Sequence, residues 1–490
     1  MKKLVSFLLV IVSVFSAVFI VGCKGCKKPE SVNCHDYKIN VTFDDKNMLL
    51  TGYEVVTFYN YTDTTITELK FNLYGNAYRE GAKFAPVLSG QTALAYPNGI
   101  NYGYMTVDGV EVLGSQVDYS IGGDDKNVLI IPLSTEIFPE ESITVKIDFT
   151  LKLTNSLTRT GYNDKTINLG NFYPILCAYA DDGFKECLYY PIGDPFYSDY
   201  ANYTVTLTLN EGFNVCSSGV LFDSKKVDGT ATLTYKIQNA KDFAFVLSDC
   251  FDMVTGSVNG ITVNYYYVTD TEPKLTLNSA IDAIKTFSNL FGDYPYKTFS
   301  VAETGFYQGG MEYPAMVMIS DALQDRSAIN EVTVHETAHQ WWYALVGNDE
   351  VNYAFLDEGL TEYSVALFYE LNPNYGFTRA EVIGMAHKSY QTYCSIYDRL
   401  FGGKDTSMCR SLSQFTSEYE YVNIAYIKGA LMFDYLRIAV SDEVFFKGLK
   451  NYVKNYSFKN ATPDALFGTF EALADTNGFF NSWVSGEVVI

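Results

Sequence analysis

Histidine is nearly absent from this chain, with four in 490 residues. Chemistry that needs imidazole is therefore confined to His35, His335, His339 and His387. Positive charge is also short: 35 Lys and Arg stand against 57 Asp and Glu, a formal net charge of −22. That balance argues against a nucleic-acid partner, which needs a basic surface. It suits a soluble surface and cationic groups such as a peptide amino terminus. No internal repeat at a fixed period and no low-complexity tract interrupts the sequence. With 48% apolar and 19% charged residues the chain reads as globular, not disordered. Its length allows about two to four domains with ample core.

The amino terminus reads as a targeting segment. Lys2 and Lys3 form a positive start, and an apolar run follows from Leu4 to Val21. Ile20-Val21-Gly22-Cys23 resembles the lipobox of a bacterial lipoprotein, which makes residues 1–22 the expected signal peptide and Cys23 the lipidated first residue. An ordinary secretory signal is the alternative, and the apolar run is short for a membrane span. Either reading exports the protein; the lipobox places it on the extracytoplasmic face of the cell membrane. Cysteines would then sit in an oxidising setting. The eight besides Cys23 are Cys26, Cys34, Cys177, Cys187, Cys216, Cys250, Cys394 and Cys409. They allow up to four disulfides, with Cys177–Cys187 and Cys394–Cys409 as local candidates. None has ligand spacing with a histidine, so a second site of that kind is not expected.

After a polar tether at 23–33, the dominant period is two. Tyr37, Ile39, Val41 and Phe43 alternate, as do Ile143, Val145, Ile147, Phe149 and Leu151, and Tyr203, Val205, Leu207 and Leu209. This predicts an antiparallel β domain over 34–268. The period changes after about Thr269. Leu277, Ile281, Ile284 and Phe287 fit one helix face ending near Gly292. Two short strands around Gly309-Gly310 come next, and from Ser327 onward the chain is mainly helical. Asn330 is the expected N-cap of the next helix and Gly347 its stop. Thr378 with Glu381 has capping-box spacing, and Thr462-Pro463 opens another helix. The expected fold class is α+β: the β domain, then a mixed domain over 269–490 with a helical second half.

Two of the four histidines fall in His335-Glu336-Thr337-Ala338-His339, and Glu358 follows nineteen positions after His339. Residues four apart share a helix face, so both imidazoles can reach one ion. Two His and a Glu from the next helix leave a fourth position open for water, the arrangement of a catalytic zinc site. Glu336, beside the first ligand, can accept that water's proton. One Zn2+ per chain is expected. His35 and His387 lack ligand spacing and read as structural or surface residues.

With the pair on one helix and Glu358 on the next, this helix-turn-helix resembles the thermolysin-like gluzincins. The surrounding residues narrow the likeness. They are His335-Glu-Thr-Ala-His-Gln-Trp-Trp342 and Leu356-Asp-Glu-Gly-Leu-Thr-Glu-Tyr363, with Gly309-Gly310-Met311-Glu312-Tyr313 upstream and Tyr426-Ile427-Lys428-Gly429 downstream. In that order they resemble the motifs of the aminopeptidase N family, and the likeness runs from the β domain to Trp483. It implies a thermolysin-like catalytic domain and zinc-dependent removal of the first residue from peptides with free amino termini. Glu336 would be the general base and Tyr426 the hydrogen-bond donor to the oxyanion. Glu312 would pair with the substrate ammonium, on a segment where Gly309, Gly310 and Met311 line the peptide. Tyr313 stands where the family usually has Asn, a change that could reshape the first subsite. The family's second amine-binding residue comes from the β domain; Gly170-Asn171-Phe172-Tyr173-Pro174 is the best match and points to Asn171. Its usual acidic-proline signature survives as Gly193-Asp194-Pro195. Glu362 is either a partner orienting a zinc-bound histidine or a solvated glutamate. A thermolysin-type endopeptidase, a non-catalytic peptide-binding lipoprotein and a lipid-epoxide hydrolase remain as alternatives.

Overall fold

The computed structural model describes residues 34–180, 183–476 and 478–490. The expected signal peptide and tether, with Cys23 and Cys26, lie outside the described residues. Cys34–Ile490 forms one compact unit.

The first half is β-rich, as the period-two stretches require. Its main sheet has eight strands, with His35–Asp44 and Leu49–Tyr59 at the centre and Ser142–Lys152 and Ala201–Asn210 on either side of them. Tyr37, Ile39, Val41 and Phe43 all point into the core, and Val205 and Leu207 join them from Ala201–Asn210. The sheet is not purely antiparallel. His35–Asp44 runs parallel to Ala201–Asn210, in register from His35↔Ala201 to Thr42↔Thr208. A parallel pair needs a long crossover, which here is the whole intervening β meander.

A second sheet carries the active-site scaffold. Its order is Asp252–Val258, Ile261–Tyr267, Thr298–Thr304, Met316–Ser320 and, at the edge, Gly310–Met311. It therefore straddles residue 268, the expected domain boundary, since the hairpin before it pairs in parallel with Thr298–Thr304 after it. The helix Pro273–Phe291 packs on this sheet and ends at Gly292, whose φ of 133° favours glycine. Beyond it the chain is mainly helical.

The ligand-bearing helix spans Arg326–Ala338. Its N-cap is Asp325, not Asn330: the Asp325 side chain accepts from the Ser327 amide, whereas Asn330 lies inside the helix and accepts from Ser279 Oγ at 2.9 Å. The helix stops at His339 and not at Gly347, which instead pairs as a short strand with Asn460. The Thr378–Glu381 capping box forms reciprocally, and Thr462 caps a helix that opens with Pro463. No disulfide is present among the described residues: Cys34, Cys177, Cys187, Cys216, Cys250, Cys394 and Cys409 are free. Cys394 is buried and Cys409 exposed, so that local pair faces two different environments. No helix among the described residues is long and apolar enough to cross a membrane.

Candidate active site

His335 and His339 lie one turn apart at the end of their helix, with Nε2 atoms 3.2 Å from each other. Glu358, the first residue of the helix Glu358–Leu371, brings Oε2 to 3.4 Å from His335 Nε2 and 3.3 Å from His339 Nε2. An ion about 2.0–2.1 Å from tetrahedrally disposed ligands sees them about 3.3 Å apart, so this triangle fits one zinc ion. The opposite ring nitrogens are spoken for. His335 Nδ1 lies 3.2 Å from Glu362 Oε2; His339 Nδ1 lies 2.9 Å from the Trp342 carbonyl and 3.2 Å from Thr361 Oγ1. Protonation of Nδ1 leaves Nε2 of each ring bare toward the centre, the tautomer a metal needs. Glu362 is thus a half-buried partner of His335 and not a freely solvated glutamate.

The electrostatics point the same way. Burial opposes charge on His339, yet the Glu312 and Glu358 carboxylates lift its pKa to about 10. Against the same burial, His339 and His335 hold Glu358 down at about 2. The carboxylates demand positive charge at this point, and a dication bound by these three side chains answers that demand.

Glu336 faces the cleft from the same helix. Burial pushes its pKa up to about 7, with the two imidazoles pulling against that. One of its oxygens is buried without a partner. Gly310 touches its carboxylate so closely that a Cβ there would lie 2.3 Å from Glu336 Oε1. Glycine at 310 is therefore favoured by the neighbouring Glu336 side chain and not by backbone conformation. Gln340 ties the two motifs together: its amide donates to the Tyr313 carbonyl at 3.1 Å and its Oε1 accepts from the Ala315 amide at 2.8 Å.

Tyr426 lies on a π-helical turn, Val422–Lys428, of the kind that often marks functional sites. Its ring stacks on His335 at 5.7 Å, and its hydroxyl donates to Glu358 Oε1 at 2.5 Å. The glycines of both motifs explain the approach. A Cβ on Gly359 would lie 2.8 Å from Gly429 Cα, so only a glycine pair lets these helices cross this closely. Lys428, the motif's other polar residue, is buried and donates to the carbonyls of Thr406 and Trp483.

The cleft wall includes Gly309, Gly310, Glu312, Glu336, Glu358 and Tyr426, so the structure brings these sequence-derived residues together. Met311 is different: its side chain is buried in the core, and only its backbone lies on the edge strand, paired with Met318. Asn171 does not line the cleft. It is 1% exposed, sits at φ 51°, and accepts from the Tyr313 hydroxyl at 3.3 Å. Tyr313 does not reshape the cleft either. Its ring is buried, and its hydroxyl occupies the space a Cβ on Gly170 would need, 1.8 Å away. Gly170 and Asn171 thus accommodate the tyrosine that replaces the family's usual Asn.

The β-rich half instead contributes Asp194 and Arg159 to the cleft, joined by a 2.6 Å ion pair. Asp194 acts electrostatically on Glu312, Glu336 and Glu358. Sequence reasoning noted Gly193-Asp194-Pro195 as a signature remnant but gave it no role. The one signal for it in the sequence was the Asp194-Pro195 pair, whereas the Gly-Asn match was the one given the role.

Comparison with known proteins gives a consistent picture. Residues 275–483 match the family model described as the peptidase family M1 domain. Mouse endoplasmic reticulum aminopeptidase 1 is 23% identical over 259 residues, 48% of this chain and 26% of that one. Aminopeptidase N of Lactobacillus delbrueckii subsp. lactis is 23% identical over 408 residues, 76% of this chain and 45% of that one. The chain thus spans between a quarter and a half of the length of these relatives. The crystal structure of an M1 zinc metallopeptidase from Deinococcus radiodurans superposes with a TM-score of 0.68 at 18% identity, covering 94% of this chain and 96% of that one. The fold is therefore that of a two-part M1 metallopeptidase, β-rich first and helical second. Residues 275–483 thus resemble a peptidase family M1 domain, and within that stretch His335, His339 and Glu358 form a group that could hold one metal ion.

Proposed function

We propose that this protein is a zinc aminopeptidase that removes the first residue from peptides with a free amino terminus. The observation that carries the reading is the pairing, in one cleft, of a complete ligand triangle with a buried carboxylate, Glu312, which has one unpartnered oxygen and lies within 4.8 Å reach of Glu336 and His339. His335, His339 and Glu358 would hold the ion. When bound, zinc supplies Lewis acidity toward the scissile carbonyl and toward water.

The remaining steps belong to side chains. Glu336 accepts a proton from the attacking water and returns it to the leaving amine. Its burial suits that exchange, since a base with a pKa near the working pH can both take and give a proton. The Tyr426 hydroxyl donates to the developing oxyanion. Glu312, beside His339, takes the substrate ammonium, and Asp194, held by Arg159, adds a second negative charge at that end. Asp194 replaces Asn171 in that role. A peptide anchored there lies along the edge strand Gly310–Met311, whose open side allows strand addition. The relative from Deinococcus radiodurans has been crystallised with Tyr-Ser-Ala substrate, which supports a peptide as the ligand class.

The lipobox around Cys23 supports export and anchoring by lipid on the outer face of the cell membrane; mass spectrometry of the membrane fraction tests it, and an unmodified Cys23 there would refute it. For the activity, the test is a panel of fluorogenic aminoacyl amides, free and amino-blocked, with chelation and zinc add-back. Hydrolysis of free but not blocked substrates, lost with chelator and restored by zinc, is the expected result. Equal cleavage of both would favour the endopeptidase reading.

A further inference from the structure

Behind the ammonium end of the cleft, Glu312, Glu350 and Asp357 bring one carboxylate oxygen each within 4.8 Å of one another. They are 4%, 1% and 2% exposed. Glu350 opens the short helix Glu350–Tyr353, and both of its oxygens are buried without a hydrogen-bond partner. One oxygen of Glu312 is in the same condition. Asp357 accepts from Asn348 Nδ2 at 2.9 Å. Lys241, which acts electrostatically on Glu350, commits its ammonium to the Asn348 carbonyl and Asn460 Oδ1, each at 3.0 Å. Three buried acidic side chains therefore converge on one point with no cation bonded to them, an arrangement that a folded protein tolerates when the carboxyls take up protons or when a cation is supplied.

We propose that Glu312, Glu350 and Asp357 form a second cation site for a hard divalent ion of the Ca2+ type, distinct from the zinc triangle. The donor set decides the ion. Three carboxylates with no imidazole or thiolate select a hard cation. A Ca–O distance of about 2.3–2.6 Å lets one ion touch oxygens up to about 5 Å apart, which covers the spacing seen here. The smaller Mg2+ demands about 2.1 Å and near-ideal octahedral geometry and usually keeps several waters, which suits three deeply buried carboxylates less well. Glu312 belongs to both settings: it also lies within reach of Glu336 and His339. An ion on its far side would hold its carboxylate in place for the substrate ammonium. That consequence rests on the aminopeptidase reading; the binding of the ion does not.

The test is calcium binding by the full-length, zinc-loaded protein, measured by equilibrium dialysis with radioactive calcium alongside zinc content. The expected result is one Ca2+ per chain in addition to zinc, with affinity lowered at least ten-fold in Glu350→Gln and zinc content unchanged. Wild-type protein alone gives a second readout, since Ca2+ should raise its thermal midpoint and Mg2+ should do so far less. In turnover, Ca2+ should lower KM for free-amino substrates with kcat steady, and Glu350→Gln should lose that response. No calcium bound at millimolar free ion, or equal binding by Glu350→Gln, overturns the site. Calcium binding as described in a protein that hydrolyses no aminoacyl amide would leave the site standing and sink the aminopeptidase reading.

Discussion

The two ends of the cleft solve opposite problems. At the metal end, the outward nitrogens of His335 and His339 are bonded to Glu362, the Trp342 carbonyl and Thr361, and Glu358 Oε1 accepts from Tyr426. At the amine end, oxygens of Glu312 and Glu350 are buried with no donor. The first arrangement fixes geometry before any ligand arrives; the second stores unmet charge that a cation relieves. A metal site needs oriented donors, whereas a subsite for an ammonium needs acceptors left open. The same distinction separates residues whose loss should change rate from residues whose loss should change selectivity.

The sharpest way to break this contrast is Glu336→Gln. The variant keeps shape and ligands, so zinc content should match wild type while kcat falls by roughly 10²–10⁴, the usual range for a lost general base. Zinc loss on a similar scale would show that the two ends are not separable. Next in size is Glu362→Gln, which weakens the bond to His335 Nδ1. Zinc affinity, read by chelator competition, should drop by about 10–100-fold, the common effect of removing such a partner; an unchanged affinity would mean that His335 is oriented by its helix alone. Glu312→Ala acts at the other end. Free-amino substrates should lose roughly 10-fold or more in kcat/KM while blocked ones change little, on the scale of one charge-assisted contact. A uniform drop for both substrate types would remove Glu312 from ammonium recognition.

A smaller effect tests what an orphan carboxylate costs where no ligand can reach it. Asp242 is buried with one oxygen unpartnered; the other accepts from the Tyr343 hydroxyl at 3.1 Å. Burial raises its pKa from 3.8 to about 7. The folded state thus holds this proton more tightly than the unfolded chain does, so stability is full below about pH 4 and declines as pH rises toward 7. Asp242→Asn should therefore raise the thermal midpoint at pH 8, by a few degrees, and change it little at pH 4. The opposite pH trend would mean that the carboxylate is stabilised by charge and not penalised by burial.

Local pattern carried much of this far. The period-two runs placed Tyr37 to Phe43 and Tyr203 to Leu209 on buried strand faces, and the four-residue spacing put both imidazoles on one ion. The misreadings were non-local or competitive. Asp325 outbid Asn330 as N-cap because a cap is chosen by where the chain turns, and both residues have suitable side chains. Cysteine spacing suggested bridges, yet Cys177 and Cys187 sit buried as thiols. Asn171 matched a short Gly-Asn pattern, but its side chain serves Tyr313 behind the cleft wall.

By itself the sequence determined that His335, His339 and Glu358 meet, with Glu336 beside them and Tyr426 against His335, because each depends on short fixed spacings or on a motif that packs one way. The tertiary structure decided which β-domain residue reaches the cleft, why Tyr313 is tolerated, and that Glu350 lies against Glu312 and Asp357. Those outcomes turn on segments far apart in the chain meeting in one dry place. Asp194 lines the cleft in an ion pair with Arg159, and Tyr313 fits because Gly170 has no side chain. No period or spacing records such meetings; they follow only when burial forces the segments together and leaves some charges paired and others waiting.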